Sequence, residues 1–237
     1  GPPKTWPPLF TIPTPPPPRA PAGAAALSGL IYIIIQFIHP ADVVASLSTQ
    51  MWITVHVLSF GMAVLAMIGL TGIYLRQVQK FGLLGLIAYL MFGFFFILQA
   101  SFNFTEALIA PLVATAAPQL AVDIVGLFGR YPAVNDLGPL AALPQVGGLL
   151  YVVGALLFGI SILRARVLSR GAGILLIVAA AVTPIAGALL PHTLERMAAI
   201  PMGLALIWLR YSLWSNLRTT TAPAAVNPAR LDTTPTV

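Results

Sequence analysis

Three histidines and two glutamates are the residues of this chain whose types could do chemistry together. His39, His56 and His192 fall near the ends of apolar stretches, and Glu106 and Glu195 fall near the same ends. Imidazole and carboxylate groups bind Zn, Fe or Cu, and sites in helix bundles take their ligands from different helices. The five residues therefore predict a metal site shared by several helices. His56, the histidine that lies well inside an apolar stretch, is also a candidate axial ligand of a haem or a chlorin.

A simpler interpretation needs no cofactor. No two histidines are four residues apart, and no histidine and glutamate share a helical turn inside an apolar stretch. His39 and His192 each adjoin a proline that would end a helix, and Glu195 would favour the start of the next helix. His56 is then an interhelical hydrogen-bond partner, or a residue that handles a proton or contacts a substrate. Glu106 is interpreted as a surface carboxylate.

Enzyme and pump motifs are missing from the sequence. It contains no Gly-x-Ser-x-Gly, His-Glu-x-x-His, P-loop or Gly-x-Gly-x-x-Gly pattern, and it has no cysteine. No charged residue lies at the centre of an apolar stretch, which disfavours ion-coupled transport and proton pumping. We therefore predict no catalysis by this chain.

The composition is that of an integral membrane protein. Of the 237 residues, 58% are hydrophobic and 8% are charged, and the mean hydropathy is +0.93. A soluble domain carries about a quarter charged residues, so lipid is the solvent that suits this chain. The net charge of +6 resides in short loops between apolar stretches rather than in a basic patch. We expect membrane lipid, and no nucleic acid, as a partner.

Six apolar stretches approach the ~20 residues needed to cross a bilayer. They are Ala22–Ile38, Met51–Leu75, Phe81–Phe102, Leu143–Leu163, Gly171–Leu190 and Met197–Trp214. The sequence thus predicts an all-α, polytopic bundle of about six transmembrane helices over residues 22–217. The connection 103–142 is predicted to be a long outer loop that carries a short helix near 119–128, where apolar residues recur at helical spacing.

The basic residues predict the orientation of the bundle. With the N-terminus in the cytoplasm, ten of the twelve lysines and arginines fall on the cytoplasmic side, and Arg130 and Arg196 fall outside. Both termini are then cytoplasmic. Residues 1–21 are rich in proline, and residues 218–237 consist largely of threonine, alanine and proline. Such tails cannot bury enough surface to fold alone, so we expect other membrane-protein subunits to contact them.

Several short motifs resemble a known kind of protein. They are His39-Pro40, His56, Gly-Ile-Tyr-Leu-Arg at 72–76, Glu106, Pro111 and Gly-Ile-Ser-Ile-Leu-Arg at 159–164. Over residues 25–215 this pattern resembles small polytopic bacterial inner-membrane proteins that carry a domain of unknown function. The resemblance implies the topology and a bacterial inner-membrane location, and it implies no activity.

Three functions follow from these observations. The tails favour an accessory or scaffold subunit of a larger membrane complex, for example a respiratory or photosynthetic one. The outer histidines favour a haem-, pigment- or metal-binding membrane protein. A carrier for a small apolar or lipid-like substrate is the third, and it requires a substantial cavity between the helices.

Overall fold

In the computed structural model, residues 19–129 and 132–221 are described, and their regular elements are all helical. For residues 19, 129, 192, 193 and 216–221 only the backbone is described. The helices are α1 (Arg19–Ile38), α2 (Val44–Leu47), α3 (Gln50–Phe104), α4 (Ala110–Ala116), α5 (Pro118–Gly129), α6 (Leu143–Ala165), α7 (Arg170–Leu189), α8 (His192–Glu195) and α9 (Ile200–Thr221). The predicted all-α fold class is confirmed.

Five helical segments among the described residues are long and apolar enough to cross a membrane. They are Ala20–Ile38, Gln50–Ala116, Gly138–Ala165, Arg170–Leu189 and Arg196–Ser215. Large apolar side chains such as Leu83, Leu112 and Phe37 point away from the bundle. This arrangement suits lipid and is costly in water, so the chain is a multi-pass membrane protein.

Helix α3 is folded back on itself at Gly82. This residue has φ 59° and ψ −160°, a conformation open to glycine and strained for other residues. The indole Nε1 of Trp52 donates a hydrogen bond of 2.8 Å to the carbonyl oxygen of Glu106, 54 positions away. A straight helix would hold those residues roughly 80 Å apart. Residues 50–81 and 83–104 therefore form two antiparallel arms.

The long helices form a closed ring. Helix α1 packs on the first arm of α3, the second arm packs on α6, α6 on α7, α7 on α9, and α9 on α1. Small residues allow the backbones of neighbouring helices to approach closely. A Cβ at Gly203 in α9 would lie 2.6 Å from the carbonyl oxygen of Gly29 in α1, and one at Gly159 would lie 2.9 Å from that of Gly173. Side chains at these positions would separate the helices.

The middle of the ring is filled with apolar side chains. The largest that are fully buried there include Phe92, Phe96, Phe158, Met62 and Met202. Among the described residues, apolar packing therefore closes the bundle at this level. Ser28, fully buried at this level, donates its hydroxyl hydrogen to the carbonyl oxygen of Met62.

A helical cap covers the end of the ring where α1 and α7 finish. A π-helical turn, Thr105–Ile109, continues the second arm into α4, and α5 follows directly. The connection expected as the long outer loop 103–142 is largely helical, and the short helix expected at 119–128 lies within α5. Pro118 begins α5, where a proline's missing N–H costs nothing. Pro111 instead follows the π-helical turn within a continuous helical segment.

The ends of the bundle differ slightly from the predicted boundaries. Helix α1 begins at Arg19, inside the expected tail 1–21, and α9 continues to Thr221, past the expected tail boundary at residue 218. Residues 1–18 and 222–237 lie outside the described residues, so the predicted tails are not tested.

Candidate ligand chamber

A cavity of about 470 Å³ lies inside the ring, below the cap. Its wall combines α1, the second arm of α3, α6, α7 and the turn before α9. The lining residues are Tyr32, Ile35, Gln36, His39, Asp42, Ser59, Gln99, Phe102, Asn103, Glu106, Val125, Phe128, Gly148, Tyr151, Val152, Thr183, Pro184, Glu195, Arg196 and Ala199. We call this cavity the chamber.

His56, in the first arm of α3, meets Glu106 at the wall of the chamber. Glu106 belongs to the π-helical turn that follows the second arm. The distance from His56 Nε2 to Glu106 Oε2 is 3.3 Å. The two side chains are 1% and 10% exposed, and Nε2 makes no hydrogen bond. Nδ1 of the same ring lies 2.8 Å from the carbonyl oxygen of Trp52. The contact between a base and an acid therefore sits in a nearly water-free wall.

The π-helical turn places Glu106. A π turn widens the helix and shifts the following side chains around the axis, and such turns recur at functional sites. Here the turn begins at Thr105, and the carbonyl oxygen of Glu106 accepts the hydrogen bond from Trp52 Nε1. Trp52 thus joins the two arms and fixes the backbone that carries the carboxylate.

His39 completes an aromatic cluster beside this pair. Its ring centroid lies 5.0 Å from that of His56 and 6.0 Å from that of Trp52, edge-on in both cases. Its Nδ1 is 2.7 Å from the carbonyl oxygen of Pro40. Because Pro40 follows directly, helix α1 stops at Ile38 and the ring of His39 turns towards α3 rather than continuing along the helix.

Charged groups from two other connections reach the same chamber. Arg196 Nη2 lies 3.8 Å from Asp42 Oδ2, joining the segment after α1 to the 3-10 turn before α9. Glu195 also lines the chamber. These residues bring both signs of charge to one half-open cavity.

Hydroxyl groups line the opposite wall. Thr183 Oγ1 in α7 donates to the carbonyl oxygen of Ala179 at 3.0 Å, and it lies 3.1 Å from the hydroxyl of Tyr151 in α6. Since the threonine hydrogen is used on its own helix, the tyrosine hydroxyl is the donor of the second bond. The pair ties α6 to α7 beside the chamber.

A second cavity of about 890 Å³ adjoins the chamber. Both are lined by Tyr32, Gln99, Phe128, Gly148, Tyr151, Thr183 and Glu195. Its other wall is the segment between α5 and α6, including Asn135 and Leu137. The chamber therefore extends under the cap towards that connection.

Asp123 in α5 fixes the connecting segment that walls the second cavity. Its Oδ2 accepts hydrogen bonds from the backbone N–H and the side-chain Nδ2 of Asn135, at 2.8 and 2.7 Å. Gln119 Nε2 donates to Oδ1 at 2.8 Å. The bond from the Asn135 backbone is the largest of the influences that lower the pKa of Asp123 to about 2. A carboxylate that stays ionised is suited to hold this segment.

The structure brings four of the five predicted metal-site residues to one end of the bundle. His39, His56, Glu106 and Glu195 lie around the chamber, while for His192 the structure gives the backbone position at the start of α8. Among the side chains that are described, no three of His, Asp or Glu are grouped to hold a metal ion. Metal and haem binding stay predictions.

Two features of the site differ from what the sequence suggests. The interpretation of Glu106 as a surface carboxylate is wrong, because the residue is 7% exposed and faces the chamber. Sequence reasoning also missed Asp42, Arg196 and Tyr151. Asp42 and Arg196 resemble ordinary loop charges in the sequence. Their proximity depends on how α1 and α9 pack.

Comparison of the chain with protein-family models, with curated proteins and with solved structures finds no match. The resemblance to small bacterial inner-membrane proteins therefore stays a prediction. The chemistry of the chamber itself is the basis for assigning a function.

Proposed function

We propose that this protein is a membrane carrier that takes up a small amphiphilic molecule in the chamber. The observation behind this proposal is a half-open cavity of about 470 Å³ whose wall mixes aromatic, amide and charged side chains. Ligand sites span ~300–1,000 Å³ and combine an apolar lining with a few convergent polar groups. A bundle with no ligand to bind would fill this space with apolar side chains, as it does one level deeper.

We also propose six membrane crossings, with each arm of α3 crossing once. Arg76, Lys80, Arg164, Arg166 and Arg170 then share the end of the bundle opposite the chamber. Lysine and arginine are enriched in cytoplasmic loops, so this end is cytoplasmic and the chamber lies on the outer side. In a bacterium the location is the inner membrane, with both termini in the cytoplasm.

The other two predicted functions have less support. The expectation of an accessory subunit depends on tails that lie largely outside the described residues. Axial ligation of a haem or chlorin by His56 needs a ring nitrogen directed at the metal. Both nitrogens already face protein groups, with Nδ1 at the Trp52 carbonyl and Nε2 at Glu106. Binding of such a cofactor would require Glu106 to move.

Thermal unfolding of the purified protein with octylamine, octanoate and octanol tests the proposal. A ligand that binds the folded state raises the melting temperature in a concentration-dependent way. We expect at least one of the three probes to do so, because they share a tail and differ in the charge of the head.

Two glycine variants show whether the stabilisation comes from the chamber. Gly148 lines the chamber, and a Cβ there meets no atom within 4 Å. In Gly148→Trp the indole should fill the chamber and abolish the rise in melting temperature. Gly61→Trp is the matched control, since its Cβ is equally unobstructed and it does not line the chamber. No rise with any probe, or a rise that persists in Gly148→Trp, would contradict the proposal.

A further inference from the structure

The end of the bundle opposite the chamber carries only positive charge among the described side chains. Every carboxylate of the described residues lies around the chamber, in the cap or in the connection that follows the cap: Asp42, Glu106, Asp123, Asp136 and Glu195. The cationic side chains described at the opposite end are Arg76, Lys80, Arg164, Arg166, Arg170 and Arg210. We call these six residues the basic patch. No carboxylate of the described chain is placed to neutralise it.

The basic patch is assembled from three neighbouring parts of the chain. Phe81, next to the fold-back of α3, packs edge-on against Phe158 of α6, with ring centroids 5.4 Å apart. In the turn between α6 and α7, the backbone N–H of Ser169 donates a hydrogen bond of 2.6 Å to the hydroxyl of Ser212 in α9. These contacts bring the fold-back, the turn and α9 to one end of the bundle, and their basic residues with them.

The turn between α6 and α7 is the most densely charged part of the patch. Arg164, Arg166 and Arg170 fall within seven consecutive residues, and all three are exposed. Arg166 adopts the left-handed conformation, with φ 54°, and ends α6. Arg170 begins α7, whose first turn contains no acidic residue, although the positive end of a helix favours anions. Cations this close repel one another, so an anion at the turn would be stabilising.

Aromatic side chains on α9 mark the depth of the basic patch in the membrane. Trp208 and Tyr211 are 43% and 63% exposed on the outside of the bundle. Trp208 lies against the start of α7, since a Cβ at Gly171 would be 2.6 Å from its ring. Exposed tryptophan and tyrosine concentrate at the level of the lipid headgroups. The patch therefore borders that level, where the fixed anions are lipid phosphates.

We infer that the basic patch binds the headgroups of anionic phospholipids. A headgroup with a net negative charge neutralises the patch, whereas a zwitterionic headgroup brings a cation of its own. Clusters of basic residues at the cytoplasmic ends of transmembrane helices attract anionic lipid in this way. A bound lipid would hold the fold-back, the turn and α9 together. The apolar core separates this surface from the chamber, so the inference does not depend on the proposed carrier function.

Thermal unfolding of the full-length protein in micelles of a neutral detergent tests the inference. The protein is titrated with dioctanoyl phosphatidylglycerol or with dioctanoyl phosphatidylcholine, whose equal tails would enter the chamber equally. We expect phosphatidylglycerol to raise the melting temperature at a concentration about tenfold lower, or lower still. High salt should reduce this preference by screening the charges. Sodium phosphate at the same concentrations should give no rise, because it has no tail to hold it in the micelle.

Glutamine in place of Arg164, Arg166 and Arg170 together removes three charges and keeps polar side chains. We expect the affinity for phosphatidylglycerol to fall at least about tenfold. Lysine at the same three positions is the matched control, and its affinity should stay within about twofold, since lysine binds phosphate as a point charge. Equal responses of the wild-type protein to the two lipids, a preference that survives the glutamine substitutions, or an equal rise with sodium phosphate would overturn the inference. These results leave the carrier proposal standing, because the glycine variants of the chamber test it separately.

Discussion

At the scale of single residues, Trp52 has the most consequential position. Its indole Nε1 donates a hydrogen bond to the carbonyl oxygen of Glu106. Its ring lies against that of His56, with centroids 4.1 Å apart and the planes tilted by 34°. It is fully buried at the base of the cap, against Leu47 and Val125. One side chain therefore joins both arms of α3, the cap and the base of the chamber.

Trp52→Phe should lower the free energy of unfolding by about 1–3 kcal/mol, because it leaves the carbonyl oxygen of Glu106 buried without its donor. The phenyl ring keeps most of the apolar contact. Equilibrium unfolding in mixed micelles measures the change. Trp208→Phe is the control, since Trp208 is 43% exposed on the outside of the bundle, and it should have little effect. If the two substitutions lower the free energy of unfolding equally, the hydrogen bond from Trp52 to the Glu106 carbonyl oxygen does not contribute to stability.

The residue types of the site could be read from the sequence, but their pairing could not. Hydropathy shows that His56 lies inside an apolar stretch, and this position is confirmed. Its partner Glu106 lies in the π-helical turn after the second arm, beyond the fold-back at Gly82. Helical spacing indicates contacts between residues three or four positions apart. It cannot indicate the contact between His56 and Glu106, which depends on the fold-back of α3 and on the π-helical turn.

At the scale of elements, the fold-back of α3 at Gly82 sets the architecture of the bundle. The apolar stretches on either side of it were predictable, since period and length identify helices well. The helical cap was harder to predict, because the prolines at 111 and 118 suggest irregular structure. In the fold, Pro118 begins α5 and Pro111 lies within a continuous helical segment. The conformation of Gly82 is the part of this element that a substitution can probe.

Gly82→Ala should destabilise the protein by about 1–3 kcal/mol, because a Cβ strains this backbone conformation. The space around it is open, so the cost arises from the backbone alone. Gly61→Ala is the opposite case, a glycine inside a regular helix with open space around it. It should stabilise the protein by about 0.5–1 kcal/mol. Unfolding of both variants in the same micelles gives the change in the free energy of unfolding for each. A change of the same sign in both variants would contradict this account.

The hydrogen bonds between Asp123 and Asn135 should depend on pH. The pKa of Asp123 is about 2 in the folded protein, below the ~3.9 of an unfolded chain. Its stabilising contribution is therefore complete well above pH 4 and is lost as the pH falls towards 2. Amide hydrogen exchange at Asn135 should speed up over that range. In Asp123→Asn the exchange should be fast at neutral pH and lack this acid-dependent step. If the change in Asn135 exchange in the wild-type protein is centred above pH 4, the lowered pKa of Asp123 does not control it.

At the scale of the whole molecule, polar and basic groups occupy opposite ends of a closed helical ring. The apolar core between them, around Phe92 and Phe158, separates the chamber from the basic end. A carrier of this form would have to open the core or tilt its helices to release a ligand inward. The fold-back at Gly82 lies at the basic end and the π turn at the chamber end, so each end of α3 has an irregular backbone.

The orientation can be measured because the chain has no native cysteine. Val134 is 78% exposed near the cap, and Lys80 is exposed at the basic end. We expect a membrane-impermeant maleimide to label Val134→Cys in intact cells and Lys80→Cys after permeabilisation. The reverse pattern would place the chamber on the cytoplasmic side.

The central claim is that the chamber holds a small molecule, and native mass spectrometry of the protein released from its own membrane tests it most directly. The account predicts a 1:1 adduct in the wild-type protein that is absent from Gly148→Trp and retained in Gly61→Trp. A wild-type protein that carries no adduct, or an adduct that survives when the chamber is filled, would contradict it.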